Sequence, residues 1–155
     1  DRTLLALRVT PLPTPMFLAY RLAAPMTIST IITVVALLLA GVAPLSGDTL
    51  IVALAAAPLA PMLALFFATF AANKVQGFAL QKALGLVMMA PLAALFLPHQ
   101  WALFMGIAPT YWPAALLWHV QTGALDWGTL AAGAAYHAVL LALLLWKMEQ
   151  MTVVG

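Results

Sequence analysis

Cysteine is absent from this chain, and charge is nearly so: six Lys or Arg and four Asp or Glu in 155 residues. Without thiols there are no disulfides, no thiolate catalysis and no cysteine-bound metal or iron–sulfur centre. Charged residues make up 6% and hydrophobic residues 66%, with a mean hydropathy of +1.09. A soluble domain carries about 25% charged residues, so water is excluded as the principal solvent. The formal charge of +2 forms no clustered basic face, which excludes nucleic acid as a partner. No Gly-x-x-x-x-Gly-Lys-Ser/Thr loop is present to cradle phosphates, and no cofactor is implied. An initiator Met and a cleavable leader pattern are also missing, so the chain is expected to start inside a longer protein with further spans upstream.

What remains is apolar, and it is organised. Four runs are long enough to cross a hydrocarbon core of about 30 Å at about 1.5 Å per residue: 22–45, 50–72, 75–97 and 127–146. Residues 46–49 make a tight turn between the first two spans, and 73–82 is a polar hinge before the third. Pro25 sits near the expected start of the first span, where a proline is tolerated. Pro58 and Pro61 predict a kink in the second span and Pro91 one in the third. All six basic residues, Arg2, Arg8, Arg21, Lys74, Lys82 and Lys147, fall on one side of this map. Because Lys and Arg are enriched in cytoplasmic loops, both ends are expected in the cytoplasm of a multi-pass protein of the cell membrane. The expected fold is all-α in a single transmembrane domain, with 1–21 as a cytoplasmic segment.

Residues 98–126 are apolar but broken by Pro98, Gly106, Pro109, Pro113 and Gly123, and neither 101–108 nor 114–121 is long enough to span. Trp101, Tyr111, Trp112, Trp118 and Trp127 gather around them, as aromatic rings do at membrane interfaces. The expectation is a pair of short re-entrant helices dipping into the outer leaflet. Such backbone is tolerated at membrane depth only when buried in protein or lining a wet cavity. Asp126 is placed to cap the last span, and the small residues from Gly128 to Ala135 would let another helix approach closely.

The opening residues admit two readings. Asp1 to Thr10 followed by Pro11 and Pro13 reads as an amphipathic helix lying at the interface, or as a helix that docks onto a cytoplasmic partner. The order Arg2-Thr3-Leu4, four residues, then Val9-Thr10-Pro11-Leu12-Pro13, with Tyr20-Arg21 at span entry, resembles the first cytoplasmic loop of ABC-2 type transporter permeases. The stretch, Leu4 and Pro13 included, is close to but not identical with that family's Gly-Thr-Leu and Thr-Pro-Leu-Ser pattern: Arg2 stands in place of the Gly and Pro13 in place of the Ser. A second likeness is Pro109-Thr110-Tyr111-Trp112-Pro113, in a broken segment before the last span where the family carries re-entrant helices. The resemblance covers the whole chain, and multidrug members, fluoroquinolone exporters among them, look nearest.

The resemblance implies a permease subunit of an ATP-driven exporter of hydrophobic or amphipathic substrates, drug or lipid-like. It also implies a cytoplasmic ABC ATPase as a separate partner and a second permease protomer, as a homo- or heterodimer. Arg2, Leu4, Arg8, Thr10, Pro11 and Pro13 would couple to the ATPase, with the prolines supplying stiffness.

Thr27, Thr30 and Thr33 put hydroxyls on one face of the first span. They either bond to their own helix carbonyls or form a mildly polar wall of the translocation path. His137 lies mid-span, where an ionisable group is a functional suspect, or it is a neutral imidazole hydrogen-bonded inside the bundle. His99, His119 and His137 lack metal-ligand spacing, so no metal site is expected. An intramembrane enzyme using His119 or His137, or a non-transport membrane subunit, is the alternative. The chain itself is not expected to be an enzyme.

Overall fold

A computed structural model describes residues 14–153. The coupling residues Arg2, Leu4, Arg8, Thr10, Pro11 and Pro13 lie outside this part. Within it every regular element is helical, and four stretches are long and apolar enough to cross a membrane: Ala19–Leu39, Gly47–Phe70, Lys74–Ala94 and Trp127–Gln150. The chain is an all-α, multi-pass membrane protein.

Helix α1 runs over Thr14–Leu39. It begins earlier than the expected 22 because nothing in residues 16–20 breaks a helix, so the chain enters its first span already helical. Pro25 therefore stands in the helix interior instead of at its start. The helix also stops before the expected 45. Gly41 takes φ +65, its N–H bonds to Leu38 O at 3.1 Å, and the N–H of Val42 reaches back to Leu37 O at 3.1 Å. This paired closure needs a left-handed residue, which glycine supplies without a Cβ clash.

The second span is two helices, α2 at Gly47–Ala56 and α3 at Leu59–Phe70. Ser46 caps α2 by accepting from Thr49 N–H at 3.2 Å, and Asp48 in the first turn favours the positive helix end. The break follows from Pro58 and Pro61, which cannot donate to the carbonyls four residues back. Ala57 N–H bonds Leu54 O instead at 3.2 Å, and Ala60 N–H bonds Ala57 O at 3.4 Å.

Asn73 then opens α4, Lys74–Met88, by accepting from Gln76 N–H at 2.9 Å, while the Gln76 side chain accepts from Ala72 N–H at 3.0 Å. This reciprocal cap satisfies two otherwise orphaned donors. The third span does not merely bend at Pro91. Its helix is interrupted at Met89 and resumes as α5, Ala90–Ala94, with Pro91 in the new first turn.

Short α6, His99–Ala102, and a 3-10 turn, Leu103–Ile107, lead to α7, Tyr111–Thr122. The last helix, α8, spans Trp127–Val153. Asp126 caps it, accepting from Gly128 N–H at 3.1 Å, Thr129 N–H at 3.1 Å and the Thr129 hydroxyl at 2.5 Å.

Helix α1 packs on α2 and α3, α2 on α7, and α3 on α8, while α7 and α8 pack together. The core lies where α2, α3, α7 and α8 meet: Val52, Ala53, Met62, Ala115 and Leu116 are buried, and His137 is 2% exposed. Helix α4 buries no residue fully, and neither does the membrane-length part of α1. Ile28, Ile31, Ile32 and Val35 face outward from α1 at helical spacing. Acyl chains are the solvent that suits such a face.

The bundle has two distinct ends. Arg21, Ala68 and Met148 line one small pocket, which gathers α1, α3 and α8 at one end. At the other, the side-chain amide of Gln121 donates to Val42 O at 3.3 Å.

Candidate functional site

Irregular backbone inside a bundle leaves carbonyls without helical partners, and each must be satisfied where water is scarce. Between α5 and α8 this is done by side chains. Trp112 Nε1–H donates to Gly106 O at 3.0 Å, and the Tyr136 hydroxyl donates to Ile107 O. His137 Nε2 meets Pro109 O at 2.9 Å. A carbonyl only accepts, so Nε2 carries the proton and, in the neutral ring, Nδ1 keeps the lone pair. The Thr110 hydroxyl donates in turn to Met88 O at 3.1 Å, at the break between α4 and α5. Two adjacent residues of the last span thus hold the 3-10 turn and the Pro109 corner.

Sequence places the remaining parts. Pro113 stands in the first turn of α7, where its missing N–H costs nothing. Tyr111 is buried with Ala94, Ala102 and Ala115, and its ring is edge-on to Trp112 and Trp118, with centroids 5.8 and 6.2 Å apart. Trp112 lies against α8 at Gly133 and leans on the Tyr136 ring at 5.9 Å. The segment of Pro109, Tyr111, Trp112 and Pro113, read from the sequence as one motif, and His137, read apart from it, therefore form one assembly.

Beside it is a cavity of about 400 Å³ between α2, the Pro58 break, α7 and α8. Leu54, Pro58, Trp112, Leu116, Gly133 and His137 are among its walls. Thr27 and Thr30 line a different and smaller pocket of about 230 Å³, which shares Leu54 with the first. Their hydroxyls donate to Ala23 O and Met26 O, each at 2.9 Å, within their own helix. Thr33 is half-buried on α1 and lines neither pocket. The structure does not bring the three threonines and His137 into a common wall.

At the far end of α7, His119 Nε2 stands 3.8 Å from Asp126 Oδ2, with both side chains about half exposed. The Thr129 hydroxyl, then the Thr129 and Gly128 amides, and to a lesser degree the His119 ring hold the Asp126 carboxyl below the usual carboxylate range. Among the described residues no group of three or more His, Asp or Glu is placed to hold a metal ion. His119 and His137 are on different helices and share no pocket.

Sequence reasoning missed Tyr136 and the specific need for Gly133. The available signal was a pair of hydrogen-bonding aromatics, Tyr136-His137, inside an otherwise aliphatic span.

The family model described as Fluoroquinolones export permease protein Rv2686c-like matches residues 1–145. Two curated relatives from strains of Mycobacterium tuberculosis, each named as a fluoroquinolones export permease protein, are 32% identical over 142 residues. The match covers 90% of this chain and 56% of each relative, so the chain spans just over half their length. No solved structure matches the chain.

Proposed function

The chain belongs to the Rv2686c-like family of fluoroquinolones export permease proteins, and from that premise we propose that it is the membrane part of an ATP-driven exporter of the ABC-2 type. Its cargo is hydrophobic or amphipathic, a drug or lipid-like molecule, moved out of the cytoplasm across the cell membrane. The family match over residues 1–145 carries this reading. Four spans with every basic residue on one side of the expected topology support it, and in this reading both ends of the chain are cytoplasmic.

In this reading residues 1–21 couple to a separate cytoplasmic ATPase through Arg2, Leu4, Arg8, Thr10, Pro11 and Pro13, and two permease protomers form the path. Residues 98–126 are the re-entrant part, and the side-chain donors on Gly106, Ile107 and Pro109 make such backbone tolerable at membrane depth. Thr27, Thr30 and Thr33 are the weaker candidates for a path wall, since two of them bond within their own helix. An enzyme reading draws no support from His119 and His137, which stand apart.

The test is purification of the full-length protein from its native membrane in mild detergent. A stoichiometric ATPase subunit is expected, and replacing Arg8 and Thr10 by Asp should release it. A preparation free of ATPase, under conditions that keep a control transporter complex intact, refutes the reading.

A further inference from the structure

The cavity between α2, α7 and α8 has an unusual wall. Thirteen residues line it, and none is Asp, Glu, Lys or Arg. A charged group entering it would lose its hydration with no opposite charge to meet. Yet the wall is not purely aliphatic: Trp112, Thr129 and His137 are part of it, with the Trp112 Nε1–H committed to Gly106 O and the Thr129 hydroxyl to Asp126. That imidazole is 2% exposed overall, and its Nε2–H is committed to Pro109 O at 2.9 Å. The tautomer is thereby set, and the ring's remaining polar atom, Nδ1, is a hydrogen-bond acceptor for which the described residues supply no donor. An acceptor without a partner on an apolar wall is open to a ligand that donates to it. The volume, about 400 Å³, lies in the range of small-molecule sites, which are mostly apolar with a few placed polar groups. Ala134 and Ala138 keep the α8 side of the cavity free of bulk.

We propose that this cavity is a binding site for an uncharged, compact, largely apolar molecule carrying one N–H or O–H donor, which is received by His137 Nδ1 while Pro109 O holds the opposite side of the ring. The site is distinct from the Thr27–Thr30 face of α1, which lines another pocket. The inference deepens the export reading, on which it rests for the ligand's role as cargo. The cavity itself is tested without ATP or an ATPase, so the two can fail separately.

The experiment measures saturable binding of tritiated indole to the full-length protein in nanodiscs, with empty nanodiscs subtracted. Indole supplies a flat apolar body and one N–H. Benzothiophene, of the same shape without the donor, should compete at least tenfold more weakly, and so should the cationic tryptamine. Ala138→Phe fills the cavity without touching the His137–Pro109 bond and should abolish binding. His137→Gln, if folded, should weaken it about tenfold, while Thr27→Val leaves it unchanged. The proposal is overturned if indole binding does not saturate, if it survives Ala138→Phe, or if benzothiophene or tryptamine competes as well as indole does. It is also overturned if the cavity proves to be filled by another segment of the full-length protein, which would appear as absent indole binding in a folded, monodisperse sample.

Discussion

Trp112 packs so closely on Gly133 that a Cβ at position 133 would stand 2.9 Å from the Trp112 Cβ. On the other side of the same residue, a Cβ at Gly106 would meet the indole ring at 3.4 Å. Trp112 thus needs a glycine outright at 133, where its Cβ approaches, and is merely in contact at 106. Gly133→Ala should destabilise the protein by about 1–3 kcal/mol, the usual cost of overpacking. Gly106→Ala should cost less. Thermal unfolding in detergent decides the matter: an unchanged Tm for Gly133→Ala would mean that α7 and α8 are not held this close.

Tyr136 and His137 hold backbone carbonyls 29 and 28 residues away. Tyr136→Phe keeps the ring and removes the donor to Ile107 O, for a loss of about 0.5–1.5 kcal/mol. The effect should be local, with faster deuterium uptake by peptides covering 103–112 and no change in those covering α2. Uniform protection across both regions would contradict the anchoring role.

The Asp126 carboxyl titrates below its ordinary value because the Thr129 hydroxyl, the Thr129 and Gly128 amides and, more weakly, His119 all favour its ionised form. Its contribution to stability is therefore fully present above about pH 4, near the unfolded value of about 3.9, and is lost as pH falls through the lower folded value. Asp126→Asn keeps a capping side chain but cannot ionise. The fall in Tm between pH 6 and pH 3 should be smaller in the variant than in the native chain, and equal falls would show that the cap does not titrate.

Gly41 ends α1 in the left-handed region. No atom lies within 4 Å of a Cβ placed there, so a substitution meets only backbone strain. Gly41→Ala should cost about 1–2 kcal/mol, and Gly41→Asn less, because Asn tolerates that region. Equal Tm values for the Ala, Asn and native proteins would place the end of the helix elsewhere.

Much of this architecture was legible in the residues. Uninterrupted apolar length marks four spans, and Pro58 with Pro61 marks the break in the second, since a missing donor acts on the carbonyls immediately before it. Asp126 ahead of Gly128 and Thr129 marks the start of α8 for the same local reason. The ends of α1 were less clear. The uncharged run after Arg21 suggested a late start, and hydropathy alone carried the expected span past Gly41, although the turn conformation of one glycine decides where the helix stops. The third span was expected to kink at Pro91, and its helix is interrupted just before it at Met89; what the sequence did not show is that Thr110, from 22 residues away, satisfies Met88 O.

Sequence by itself determined the solvent, the number of spans, the charge asymmetry and the local caps, because each depends on residues within a few turns of one another. Tertiary structure alone decided which side chains complete the broken segment before α8, and that His137, Trp112 and the Pro58 break wall a single cavity. Carbonyl satisfaction and cavity shape depend on the three-dimensional approach of distant elements. No period, spacing or composition in a single chain encodes which donor arrives, or that Gly133 is where Trp112 must fit.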